Sequence, residues 1–247
     1  MPEKRPAQDG AVVLAPAKKQ RNEMVILNNS SKQLVQVTHC VFIIGTKLII
    51  FGQAGPPRSS NMDAPIMLLT GHSGEIYCAK FHPAGNLLAS AGFERNIFLW
   101  TVYGECDNIN VMTGHTGAIV QLCFNQSGDN LYTASTDKTV GMFDSMTGQR
   151  IKRMKGHTSY VNSVDCARHD KPLVVSGGDD CQIKVWDPRR RQAVTSLNND
   201  YQVTAVQFNE DPTQIITAGI DNDLKIWDTR KNAIVTEMKV REGGDQR

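Results

Sequence analysis

No stretch of this sequence is long and apolar enough to cross a bilayer as a helix. The longest apolar run, residues 40–52, is broken by Lys47 and falls well short of the span required. Its charged start opens no signal-peptide core. Aromatic residues are sparse, at 6% of the chain. Charge of one sign is lacking too: 27 basic residues stand against 25 acidic ones, a net +2. That excess already resides in the first 24 residues, so the remainder is balanced. A balanced body argues against broad, charge-driven binding to nucleic acid. Six cysteines occur, none in a C-x-x-C pair, which points to reduced thiols in a cytosolic or nuclear protein. A P-loop, a dinucleotide fingerprint and a G-x-S-x-G elbow are all missing.

What the chain does have is a repeat. Trp100-Thr101, Phe143-Asp144, Trp186-Asp187 and Trp227-Asp228 are 43, 43 and 41 residues apart, and Gly-His pairs stand upstream at His72, His115 and His157. The fourth copy has Asn198-Asn199 instead. All three tryptophans of the chain fall in this register. Between the markers lie β-rich runs separated by polar turns, such as Ile76–Phe81, then His82-Pro83-Ala84-Gly85-Asn86, then Leu87–Ala91. Four short strands per unit of ~40–45 residues predict an all-β architecture of stacked sheets.

This pattern resembles the WD40-repeat family, which implies a β-propeller. The resemblance implies that a His, a Ser/Thr, an Asp and a Trp join the strands of each blade. The matching residues are His72, Ser90, Glu94 and Trp100; His115, Thr133, Asp137 and Phe143; His157, Ser176, Asp180 and Trp186; and Asn199, Thr217, Asp221 and Trp227. Only the third set is complete, so the third repeat is expected to be the best ordered. Phe143 cannot donate the indole hydrogen bond. A Ser/Thr-His-Asp group also suggests a hydrolase triad, but its return every ~42 residues marks a structural element instead. The histidines fall on different units without metal-ligand spacing. No cofactor, metal or small-molecule substrate is expected.

Within the family, blade-specific strings are more telling. Ala64 to His72, Phe81 to Pro83, Leu88 to Gly92, Tyr103 to Asn108, Ser135 to Val140, Lys155 to Ser159 and Gly219 to Asp223 resemble WD-repeat subunits of the U5 small nuclear ribonucleoprotein. The resemblance covers residues 53–239 and the basic start. It implies a non-catalytic scaffold in the spliceosome, with the large U5 proteins and other spliceosomal proteins as partners, and RNA contact at most indirect. The alternative is a WD-repeat adaptor of a ubiquitin ligase or of a transcription or chromatin complex. Tyr77, Phe93, Tyr160 and Tyr201 fall where blade loops face one rim and are candidate partner contacts. Lys4, Arg5, Lys18, Lys19 and Arg21 form a candidate bipartite nuclear localisation signal, which places the protein in the nucleus. Two basic clusters, 150–155 and 189–191, read first as solvated edges and second as contacts for RNA backbone or acidic segments.

The expected organisation is a basic, mostly disordered tail over 1–64 with an odd apolar insertion, WD-repeat blades over 65–239, and a short tail over 240–247 unlike the family. About four blades and one further strand, Ala233 to Lys239, are expected from a seven-bladed family ring, as in a shortened form. An open arc of that kind exposes apolar end faces and unpaired edges, and needs a partner.

Overall fold

The computed structural model describes residues 66–103, 106–168 and 172–239, together with the backbone of two earlier strands. These residues form strands and turns without a helix. The earlier strands are β1 (Cys40–Ile44) and β2 (Lys47–Phe51), an antiparallel hairpin whose second strand pairs with β3 (Ile66–Leu69). The odd apolar insertion of the sequence thus carries two paired strands. A run of Val, Ile and Phe interrupted by Gly45-Thr46 has the β propensity and the two-residue break of a hairpin. The candidate nuclear localisation residues lie outside the described residues.

Four antiparallel four-stranded sheets follow. The first is β4 (Ile76–Phe81), β5 (Leu87–Gly92), β6 (Ile97–Thr101) and β7 (Asn108–Met112). The second is β8 (Ile119–Phe124), β9 (Asn130–Ser135), β10 (Thr139–Asp144) and β11 (Arg150–Lys155). The third is β12 (Val161–Cys166), β13 (Val174–Gly178), β14 (Gln182–Trp186) and β15 (Ala193–Asn198). The fourth is β16 (Val203–Phe208), β17 (Gln214–Gly219), β18 (Asp223–Asp228) and β19 (Ala233–Lys239). Strands run in sequence order across every sheet. The segment Ala233 to Lys239, expected as an extra strand, is the outer strand of the fourth blade.

Blade and sequence repeat are out of phase. The strand that opens each repeat pairs with the blade before it: β7 precedes His115 yet belongs with β6, and β11 precedes His157 yet belongs with β10. Each repeat is thereby stitched into two blades.

The core lies between blades. Ala89, Ile97, Leu99 and Met112 of the first blade meet Ile119, Leu122, Leu131 and Phe143 of the second. Val140 and Met154 meet Val161, Val164 and Trp186 across the next gap, and Val175, Ile183, Val185 and Leu197 meet Val206, Phe208, Ile215 and Trp227 across the last. Polar links between inner strands fix the register. Gln121 Oε1 accepts from Val164 N at 2.9 Å, Ser163 Oγ from Val206 N at 3.0 Å, and Asp165 Oδ2 from Phe208 N at 2.9 Å. All three link residues 43 apart, one repeat on. Burial raises the pKa of Asp165, and the Phe208 and Cys166 amides oppose it. Cys123 and Cys166 bring their sulfurs to 3.1 Å across the same seam, as free thiols.

The turn between the second and third strands holds a non-glycine residue in the left-handed region in all four blades: Arg95, Lys138, Cys181 and Asn222, with φ from 58° to 68°. That backbone costs about 1 kcal/mol or more for a residue with a Cβ. In three blades the preceding aspartate spans the strained residue. Asp137 Oδ1 accepts from Thr139 N, Asp180 Oδ1 from Gln182 N and Asp221 Oδ1 from Asp223 N.

Equivalent positions in successive blades differ in cover. Ile183 is 0% exposed, whereas Leu224, its counterpart in the fourth blade, is 38% exposed. Truncation of Ile183 to Ala should cost about 2–5 kcal/mol, and Leu224→Ala less than about 1 kcal/mol. Urea unfolding of the two variants checks this; equal losses would mean the fourth blade's outer face is covered.

Candidate functional site

The recurring polar residues are hydrogen-bonded within blades. In the third blade Trp186 Nε1 donates to Ser176 Oγ at 2.8 Å, Ser176 lies 2.7 Å from His157 Nε2, and His157 Nδ1 lies 2.9 Å from Asp180 Oδ2. The directions follow from valence. The indole can only donate to the hydroxyl and the carboxylate can only accept from Nδ1, so Nε2 is left to accept the hydroxyl proton. A neutral imidazole then carries its proton on Nδ1 and donates it to the carboxylate. Burial lowers the pKa of His157, partly offset by Asp180, and so favours this neutral form.

The other blades reach a similar result with different residues. In the first, His72 lies 2.7 Å from Ser90 Oγ, Trp100 donates to the same hydroxyl at 2.8 Å, and Glu94 sits 3.3 Å from His72 Nδ1. The longer glutamate also accepts from Gly74 N at 2.6 Å. In the second, His115 bridges Thr133 at 2.7 Å and Asp137 at 2.9 Å, while Phe143 packs beside it without a donor. Arg153 adds an ion pair to Asp137 at 3.1 Å. Burial raises the pKa of Asp137, but hydrogen bonds from His115 and Thr139 outweigh that and hold it well below the carboxylate range.

The fourth blade departs furthest and shows a residue that the repeat register did not flag. Trp227 still donates to Thr217, at 2.9 Å. Where the imidazole would stand, the Lys225 ammonium binds Asn199 Oδ1 at 2.9 Å and Asp221 Oδ2 at 2.7 Å. The hydrogen bond to Asp221 raises the pKa of Lys225 against the opposing effect of burial. For Asp221, burial raises the pKa and Lys225 more than offsets it. The equivalent Lys184 of the third blade is likewise buried and donates to Ser196 at 3.1 Å. Two lysines on an inward-reading strand face were the available signal.

These groups are spread over four blades and do not converge. The inner strands line a cleft of about 620 Å³ whose wall includes Lys80, Gln121, Cys123, Asp165, Arg168 and Gln207. Two of those polar groups, Gln121 and Asp165, are already engaged by backbone amides of the next blade. Tyr77, Phe93, Tyr160 and Tyr201 are each roughly half exposed. Phe93 N bonds Glu75 O and Asp179 N bonds Tyr160 O, so the loop before the inner strand and the turn after the second strand share one end of a blade.

Removal of the hydroxyl should separate the blades. Ser176→Ala orphans both the Trp186 indole and His157 and should cost about 2–4 kcal/mol, while Thr133→Val orphans His115 alone and should cost about half as much. Denaturant unfolding with tryptophan fluorescence measures both; equal costs would contradict the directed chain. Acid should weaken the fold in two stages. The folded-state pKa values of His72 and His157 lie below 6.5, so their contribution is present above that value and is lost as pH falls through the folded values. The Asp137 contribution is lost only below 3.8. The urea midpoint followed from pH 7.5 down to 3 checks the order, and a midpoint that rises between pH 7 and 5 would contradict it.

The model of the WD domain, G-beta repeat matches residues 63–101, 106–144, 148–187 and 191–228. Its boundaries start at the outer strand of the preceding sheet, the same phase offset seen in the fold. A human protein named U5 small nuclear ribonucleoprotein 40 kDa protein is 50% identical over 81% of this chain and 54% of its own length. Its mouse namesake is 57% identical over 66% of this chain and 45% of its own length. The fission yeast Schizosaccharomyces pombe has a similar protein named pre-mRNA-splicing factor cwf17, 37% identical over 64% of this chain and 46% of its own length. The chain spans about half the length of the curated relatives it matches. Four repeats matched in register, four four-stranded sheets and their recurring buried hydroxyls agree: the chain belongs to the WD domain, G-beta repeat family.

Proposed function

We propose that this chain is a non-catalytic protein-interaction scaffold that acts in pre-mRNA splicing as a component of the U5 small nuclear ribonucleoprotein. The identity of 50–57% to proteins of that name carries the reading. The splicing factor named in fission yeast supports the same process at greater distance. The site chemistry is consistent with a scaffold. The Ser/Thr, His and carboxylate groups bind one another inside blades, so they hold strands in place rather than present a nucleophile to a cleft.

The partners in this reading are the large U5 proteins and other spliceosomal proteins, met in the nucleus. The rim that carries Tyr77, Phe93, Tyr160 and Tyr201 is the contact surface: large aromatics, half exposed, are the residue type that anchors interfaces. The basic start with Lys4, Arg5, Lys18, Lys19 and Arg21 serves nuclear import.

The test is affinity purification of the tagged chain from nuclear extract. Enrichment of U5 proteins over a tagged unrelated propeller is expected; recovery at background level would overturn the proposal. Alanine at all four rim aromatics should cut recovery at least tenfold, with the urea midpoint nearly unchanged because exposed side chains contribute little to stability.

A further inference from the structure

The two basic clusters, 150–155 and 189–191, meet in one surface. Lys152 Nζ on β11 donates to the Pro188 carbonyl and, at 3.3 Å, to the Arg190 carbonyl. The outer strand of the second blade is thereby tied to the turn that follows β14 in the third. Arg150 donates to Gly114 O, which fastens the start of the same strand. Residues 144–155 and 187–191 together hold seven cations against two carboxylates, Asp144 and Asp187.

Most of that charge is not neutralised. Among the described residues, Arg153 alone of the seven has a carboxylate partner, Asp137. The side chains of Arg189, Arg190 and Arg191 are exposed and make no ion pair among the described residues. Since the chain beyond residue 24 is balanced, this excess leaves the rest of the body acidic. Like charges held together repel, and a fixed field of one sign raises the local concentration of an oppositely charged ligand.

We propose that this ledge is a docking surface for the phosphate backbone of duplex RNA. Five of the seven cations are arginine, whose planar fork matches phosphate oxygens in pairs. β11 supplies a straight run of roughly 20 Å at strand spacing, a ridge rather than a pocket. Neither segment contains an aromatic on which an unpaired base would stack, so the surface reads phosphate and not base, as duplex recognition requires. The choice of RNA rests on the ribonucleoprotein reading above; the charge placement does not.

The test uses the full chain and a labelled RNA duplex of about 16 base pairs, followed by anisotropy between about 50 and 200 mM salt. The triple variant R189S/R190S/R191S removes exposed side chains without ion pairs and should keep the wild-type urea midpoint. Its affinity should fall at least tenfold at low salt, and the slope of log affinity against log salt should drop by about two to three. The tail variant K18A/K19A/R21A should lose less than the ledge variant. Equal duplex affinity of the triple variant and the wild type would overturn the proposal. So would displacement of the duplex by polyglutamate at equal charge, which would assign the ledge to an acidic polypeptide. A chain that co-purifies with U5 proteins but fails here keeps the scaffold reading and loses this one.

Discussion

A single hydroxyl sits at the centre of each blade. Ser90, Thr133, Ser176 and Thr217 are all buried on the second strand, and each has at most one proton to give and two lone pairs to offer. The indole takes one lone pair wherever a tryptophan is present. In three blades the histidine takes the other side of the same oxygen. In the first and third blades that oxygen therefore ties the third strand to the loop before the first. In the second and third blades the carboxylate completes the tie by holding the histidine and bracing the strained turn at once. Loss of either role leaves a buried donor without an acceptor, the costliest state for a polar group inside a sheet stack.

The requirement is for a filled set of donors and acceptors, not for a fixed quartet of residues. Glu94 reaches as Asp180 does, though over a longer contact. Lys225 delivers a positive donor to Asp221 and Asn199 where no imidazole exists. Phe143 removes a demand rather than leaving one unmet, because its absent N–H needs no acceptor. The third set alone has the full quartet of residue types, yet the altered sets are also satisfied: among the described residues no buried side-chain polar atom lacks a partner.

Much of this was legible in the sequence because the fold repeats. Spacings of 43, 43 and 41 residues located the strands, the buried hydroxyls and the Trp positions. Strand ends differ by a residue, as where the run Leu87–Ala91 continues to Gly92. What escaped the register was whatever the repeat does not copy. Lys225 takes its role from a missing histidine, so the repeat register does not announce it, and only its place on an inward-reading strand face hints at it. The interblade acceptors Gln121, Ser163 and Asp165 differ in type from blade to blade, and only the stacking of inner strands shows their common task. The hairpin of β1 and β2 escaped because nothing in the repeat resembles it.

The offset between repeat and blade sets how the chain tolerates length changes. A segment from one outer strand to the next spans two sheets, so its removal as a whole unit rejoins a β11-like strand to a β10-like partner with the same register. Removal of a single sheet's worth of chain would also close cleanly. Removal of a length that is not a whole repeat would shift a strand's register against its partner and turn its apolar side chains to water. The number of blades is thus a quantity that whole-unit duplication changes without new strand-pairing rules.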